Sequence, residues 1–233
     1  MKHIVVTGGG RGIGRAIVEE LAKAGYKITS TYNESEKASK EVTAKYPTVT
    51  YKQLDLENRK SLNEFIDELN EGPDVDVLVN NAGIYVGKPF ENMTEAELYQ
   101  QTDLNFAAPA RLVHGLLPSL KKSKAPLIIN ISSQAATGKL TGEAMYSSVK
   151  AALTTLSFVL RAELNPQGVR IVSVEPFGVN TYGIPEPSGM VLPEELAKLI
   201  RYAIELPDHL QLDTLSVSHI KQARADYPEW IER

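Results

Sequence analysis

Short apolar runs rich in β-branched residues recur at 3–6, 27–31, 49–53, 75–79, 127–131, 169–174 and 212–217, and each reads as a strand. Between them, apolar residues recur at helical spacing over 12–23, 36–45, 59–69, 94–117 in one or two pieces, 144–164 and 193–204. This alternation predicts βαβ units: an α/β, doubly wound, mostly parallel seven-stranded sheet with helices on both faces. The first strands are continuous apolar runs rather than strict alternations, as expected of strands covered on both sides. The helix over 144–164 has no charge from Ala151 to Leu160, where a surface helix should carry a polar stripe. Both of its faces are therefore expected to be buried, one on the sheet and the other on a partner subunit or, alternatively, under another part of the same chain.

With 233 residues, 42% apolar and 23% charged, the chain suits a single soluble domain. No apolar stretch reaches the roughly 18 residues that a membrane span needs. The chain enters Ile4-Val5-Val6 almost at once, leaving no room for a signal peptide, so a cytoplasmic location is expected. Zero cysteines remove disulfides, thiolate nucleophiles and zinc–thiolate sites together. The histidines, His3, His114, His209 and His219, have no metal-ligand spacing, so no metal is expected. A net charge of −4 without a basic stripe gives nucleic acid nothing to bind. The Pro/Gly/Ser-rich stretch 183–189 reads as a loop over a site, and with the helix that follows it makes 183–204 the expected substrate segment.

The first strand runs straight into Thr7-Gly8-Gly9-Gly10-Arg11-Gly12-Ile13-Gly14 and then a helix. Glycines at such a junction allow a tight turn and a close approach to a pyrophosphate, which sits against the positive helix end. The loop thus points to a Rossmann-type dinucleotide site. In dinucleotide folds an acid ending the second strand holds the adenosine ribose and repels a 2′-phosphate. Here that segment, Thr29-Ser30-Thr31-Tyr32-Asn33, has none, while Arg11 lies inside the loop where a guanidinium suits the phosphate. NADP is therefore expected. The alternative is a solvated Arg11, with Glu34 or Glu36 taking the ribose of NAD.

Tyr146 and Lys150, four apart near the start of a helix, share a face. Bringing a phenol from about 10 to about 7 takes roughly 4 kcal/mol of preference for the phenolate, which a nearby ammonium in a dry cleft supplies. A Tyr-x-x-x-Lys alone is a common accident; its company gives it weight. That company is the glycine loop, Asn80-Asn81-Ala82-Gly83 after the fourth strand, and Ser133 after the fifth, thirteen residues before Tyr146 and seventeen before Lys150.

In these four ordered motifs the sequence resembles the short-chain dehydrogenase/reductase family, in its compact single-domain branch, from Lys2 to about Thr181. The resemblance implies one dinucleotide-binding and catalytic domain over 1–233 that moves a hydride between NADP and a small alcohol or carbonyl compound. Tyr146 would be the acid/base, Ser133 would hydrogen-bond the reacting oxygen, and Lys150 would lower the phenol and hold the nicotinamide ribose. Asn105, in Asp103-Leu104-Asn105-Phe106, would hold a relay water. Cofactor contacts are implied at Thr7, Gly8, Gly10, Arg11, Gly12, Ile13 and Gly14 of the loop, at Tyr32, Asn33, Asp55 and Leu56 near the adenosine, and at Asn81, Ala82 and Gly83. Pro176, Gly178, Val179 and Thr181 would lie beside the nicotinamide, with Tyr146 and Lys150. Ser132 is the alternative to Ser133, and Asn80 and Asn81 have a structural alternative, bonding neighbouring strand ends.

The chain departs from the family pattern after the sixth strand, where Glu175-Pro176-Phe177-Gly178 displaces the usual glycine by one and puts Phe177 at the nicotinamide pocket. The common Gly-Gly close after the last strand is also absent, and the ending is similar to members acting on small hydroxy acids or on a broad substrate range. A homodimer or homotetramer is expected. Two other classes compete with the enzyme: a catalytically silent NADP(H)-binding regulatory or scaffold protein, which would have little reason to retain all four residue types, and a nucleotide-sugar epimerase or dehydratase, which needs a larger C-terminal domain.

Overall fold

The computed structural model describes residues 1–138, 141–181, 183 and 189–221. Its strands are β1 (His3–Val6), β2 (Lys27–Tyr32), β3 (Val49–Gln53), β4 (Val77–Asn80), β5 (Leu127–Ile131), β6 (Arg170–Pro176) and β7 (Thr214–Val217). They form a seven-stranded sheet in the order β3-β2-β1-β4-β5-β6-β7, with every pair parallel. The order reverses between β1 and β4. In open α/β sheets such a switch point opens a crevice at the carboxyl ends of the strands, where ligands bind.

Seven α-helices connect the strands: α1 (Gly12–Lys23), α2 (Glu36–Lys45), α3 (Arg59–Glu71), α4 (Glu95–Thr102), α5 (Ala108–Leu120), α6 (Ala144–Leu164) and α7 (Pro193–Glu205). One apolar layer packs α1 and α7 on the sheet through Ile17, Leu21, Leu196 and Ile200. The opposite layer joins α3 and α5 to it through Leu62, Phe65, Leu112 and Leu116. Every residue of β1, β4 and β5 is buried, as expected of mostly apolar strands covered on both faces.

The helical period over 94–117 resolves into α4, a π-helical turn at Asp103–Ala107, and α5. A Thr94/Glu97 capping box starts α4, each side chain bonding the other's backbone N–H. Helix α6, uncharged from Ala151 to Leu160, is buried on one face only. Val149, Leu153 and Ser157 are enclosed, whereas Phe158 is 68% and Val159 46% exposed. Among the described residues, Arg161 lies over the Phe158 ring at 5.5 Å, and this part of the chain otherwise leaves the face largely open. Of the expected loop over the site, 184–188 lie outside the described residues.

Candidate active site

The glycine loop leaves β1 at the switch point and is pinned from both sides. The Gly9 N–H donates to the Thr31 carbonyl (2.8 Å), and the Tyr51 hydroxyl donates to the Gly9 carbonyl (2.7 Å). The Thr7 hydroxyl accepts the N–H groups of Asn81 and Ala82, each at 3.0 Å, and the Asn81 amide donates back to the Thr7 carbonyl at 2.8 Å. Thr7 and Asn81 therefore latch the loop to the end of β4. Gly12 has φ +53°, and a Cβ at Gly14 would overlap the Gly8 carbonyl oxygen, so both positions demand glycine. The result is a bare, rigid turn beneath the N-terminus of α1, the arrangement that presents N–H groups to a pyrophosphate.

Around that turn stand the residues that the sequence leads one to expect near an adenosine. Arg11 is exposed at the N-cap of α1 and has no ion pair among the described residues. Tyr32, half-buried, stands beside Tyr51 with ring centroids 6.3 Å apart, and Asn33 is exposed at the end of β2. Glu36, the alternative ribose ligand, is already paired with Lys40 at 2.6 Å. Asp55 is exposed and uses Oδ1 to accept the Glu57 N–H, while Leu56 is buried.

On the other side of the switch point, the start of α6 meets the end of β5. Ser133 lies 8% exposed just past the end of β5, its hydroxyl accepting the Ala135 N–H at 3.1 Å and close enough to the Tyr146 phenol to act on its titration. Ser132 points elsewhere. Its hydroxyl donates to the Lys150 carbonyl (3.0 Å) and lies 2.7 Å from the Thr154 hydroxyl, which also reaches the buried Glu175 carboxylate at 3.3 Å. Ser132 thus ties α6 to the sheet, whereas Ser133 lies on the Tyr146 side.

Lys150 is 5% exposed, with Nζ 5.7 Å from the Tyr146 ring centroid and donating to the Ile131 carbonyl at 2.9 Å. Burial alone pushes its ammonium down to about 8. The Tyr146 phenol is raised rather than lowered: burial disfavours the phenolate, the Ser133 hydroxyl opposes that, and the Glu143 charge adds to it. Lys150 is not among the causes, because its ammonium bonds the Ile131 carbonyl rather than the phenol. Two of its three donors remain available to a ligand.

Asn105 occupies the π-helical turn, 1% exposed. Its amide nitrogen donates to the Ile84 and Gln101 carbonyls (2.9 and 3.1 Å), and its oxygen accepts the Ile84 N–H at 3.2 Å. One lone pair is left to receive a water. A Cβ on Gly83 would come within 2.5 Å of that oxygen and 3.6 Å of Lys150 Nζ, so only a glycine leaves the passage between them open. Asn80 is structural: it donates to Asn130 at 2.8 Å, and Asn130 donates to Ser157 at 2.8 Å.

After β6, Pro176 is buried, and Gly178, at φ +54°, turns the chain so that Val179 forms a bridge with Val191. The displaced glycine therefore still serves a turn. Thr181 places its methyl group 3.3 Å from a Cβ position on Gly12, which joins this segment to the glycine loop. Sequence reasoning missed two neighbours of Tyr146. Tyr85 stacks edge-on against it at 5.0 Å and 90°, and Glu143 accepts the Tyr85 hydroxyl at 2.8 Å. The only available signal was an aromatic residue directly after Asn80-Asn81-Ala82-Gly83-Ile84.

The sequence model of the short-chain dehydrogenases matches residues 2–185, and the chain belongs to that family. It is 28% identical to a serine 3-dehydrogenase of Rhizobium radiobacter, over 98% of both chains. It is 26% identical to an NADP-dependent 3-hydroxy acid dehydrogenase of Salmonella typhi, over 95% of this chain and 96% of that one. Among solved structures it resembles the alcohol dehydrogenase from the archaeon Thermococcus sibiricus complexed with 5-hydroxy-NADP, with TM-score 0.87, 30% identity and coverage of 99% and 100%. The chain is thus an oxidoreductase of the Rossmann-type α/β class. Among the described residues no helix is long and apolar enough to cross a membrane.

Proposed function

We propose that this protein is a cytoplasmic NADP(H)-dependent enzyme that interconverts a small alcohol and its carbonyl compound, with Tyr146 as acid/base. The observation that carries the reading is the convergence of Ser133, Tyr146 and Lys150 at one end of the sheet, beside a glycine turn too tight for any side chain at Gly14. Exposed, unpaired Arg11 supports NADP over NAD, and so do the NADP-linked names of the similar proteins.

When bound, the cofactor supplies a hydride donor or acceptor at its nicotinamide. In reduction the Tyr146 phenol gives its proton to the carbonyl oxygen, and the Ser133 hydroxyl bonds that oxygen as it gains charge. Lys150 uses its two unspent donors on the nicotinamide ribose and favours the phenolate once Tyr146 has given up its proton. Asn105 holds a water on its remaining lone pair, which returns a proton towards Lys150 through the space that Gly83 leaves. Oxidation of the alcohol runs the same path backwards. Gly8, Gly10, Gly12 and Ile13 border the pyrophosphate, Tyr32, Asn33, Asp55 and Leu56 the adenosine, and Ala82, Pro176, Gly178, Val179 and Thr181 the nicotinamide.

The whole of 1–233 acts as one catalytic unit in this reading, with 183–204 as its substrate segment. The apolar outer face of α6, centred on Phe158 and Val159, packs against a second copy of the chain in a homodimer or homotetramer. A panel of carbonyls and alcohols followed by NADPH and NADH absorbance tests the activity. Turnover of at least one carbonyl with NADPH well above NADH is expected; NADPH binding without turnover of any member would leave the silent scaffold instead.

A further inference from the structure

The wall beside Tyr146 carries a fixed negative charge. Segment 85–88 lies against Gly142 and Glu143 at the start of α6: a Cβ on Gly142 would sit 3.8 Å from the Lys88 backbone, and the Tyr85 hydroxyl holds the Glu143 carboxylate at 2.8 Å. Tyr85 is 52% exposed while its ring packs edge-on against that of Tyr146, so the pair stands between solvent and the phenol. The nearby Lys88 does not neutralise this carboxylate, because its ammonium is committed to Glu97 at 2.7 Å. Lys150 lies behind Tyr146, donating to the Ile131 carbonyl. A substrate that reaches Tyr146 along this wall passes the Glu143 carboxylate.

We propose that Tyr85 and Glu143 form a charge filter at the mouth of the site, so that the enzyme takes neutral or ammonium-bearing carbonyl compounds and disfavours those ending in a carboxylate or sulfonate. This rests on the oxidoreductase reading above and specifies its substrate class. Like charges a few ångströms apart near a protein surface repel enough to cost roughly tenfold in binding at low salt. The preference runs against that named for the similar 3-hydroxy acid dehydrogenase, and it is set by a residue three positions before the tyrosine.

The test compares kcat/KM for carbonyl compounds of matched length ending in methyl, ammonium or carboxylate, at saturating NADPH. In the natural protein the carboxylate compound is expected to lag the methyl one by roughly tenfold at low ionic strength, and the gap to narrow as salt is raised. Glu143→Gln, close to isosteric, should raise the carboxylate-to-methyl ratio about tenfold and remove its salt dependence. The salt series needs no variant and so stands even if Glu143→Gln fails to fold. A ratio near one, or a gap unmoved by both salt and Glu143→Gln, overturns the filter while leaving the oxidoreductase reading intact. No turnover of any carbonyl overturns the reading on which the filter rests.

Discussion

The two serines at the end of β5 allow a crossed test of structure against chemistry. Ser132 is 3% exposed, and replacing it with alanine deprives the Lys150 carbonyl of a donor at 3.0 Å and Thr154 of a partner at 2.7 Å. Thr154 keeps its Glu175 acceptor and the Lys150 carbonyl its helical N–H, but both lose the Ser132 bond that fixes α6 to the sheet. Losing these two buried contacts costs about 2 kcal/mol, which lowers Tm by about 4–8 °C in a chain of this size. Ser133→Ala removes only the acceptor for the Ala135 N–H, worth about 1 kcal/mol or about 2–4 °C. It also removes the donor aimed at the reacting oxygen, and kcat should fall roughly 10²- to 10³-fold. The assay pairs thermal unfolding by circular dichroism with NADPH oxidation on the best carbonyl of the panel. Ser132→Ala should lose stability and keep most of its turnover, and Ser133→Ala the reverse. A stable but inactive Ser132→Ala beside an active Ser133→Ala would refute the assignment.

Other outcomes follow from the same geometry. Burial takes the Lys150 ammonium from its ordinary 10.5 down to about 8, a cost of about 3 kcal/mol that is present in full below pH 8 and fades as pH rises towards 10.5, where the folded protein sheds the proton first. Lys150→Met should therefore unfold at higher temperature than the natural protein at pH 7 while losing turnover, with the stability gap closing above pH 8; a gap that does not vary with pH would contradict this. Arg11→Ala should weaken NADPH binding much more than NADH binding in fluorescence titrations, and equal losses would remove its role at the 2′-phosphate.

Much of this was legible because the decisive signals are local. A strand followed at once by a glycine-rich turn and a helix announces its own geometry, and β1, α1, α2, β3, β5 and α6 have the bounds that their patterns give. The break at Asp103–Ala107 was not legible, since a π-helical turn adds one residue without interrupting the apolar recurrence on either side. Neither was the partner of Lys150: a backbone carbonyl leaves no trace in sequence, and Ile131 gave no hint that it would accept the ammonium. Tyr51, which fixes Gly9 from β3, and Glu143, which meets Tyr85 across 58 residues, depend on how the sheet brings distant segments together. The exposed side of α6 shows the converse case. Its apolar character was plain in the sequence, but the described residues of one chain leave Phe158 and Val159 largely exposed.

The central claim is that Tyr146 moves the proton. Tyr146→Phe keeps the ring that packs against Tyr85 and removes only the hydroxyl on the Ser133 side. Single-turnover reduction of the best carbonyl should slow by about 10²- to 10⁴-fold in this variant while NADPH still binds as in the natural protein. A Phe variant that binds NADPH and turns over at the natural rate would contradict the account.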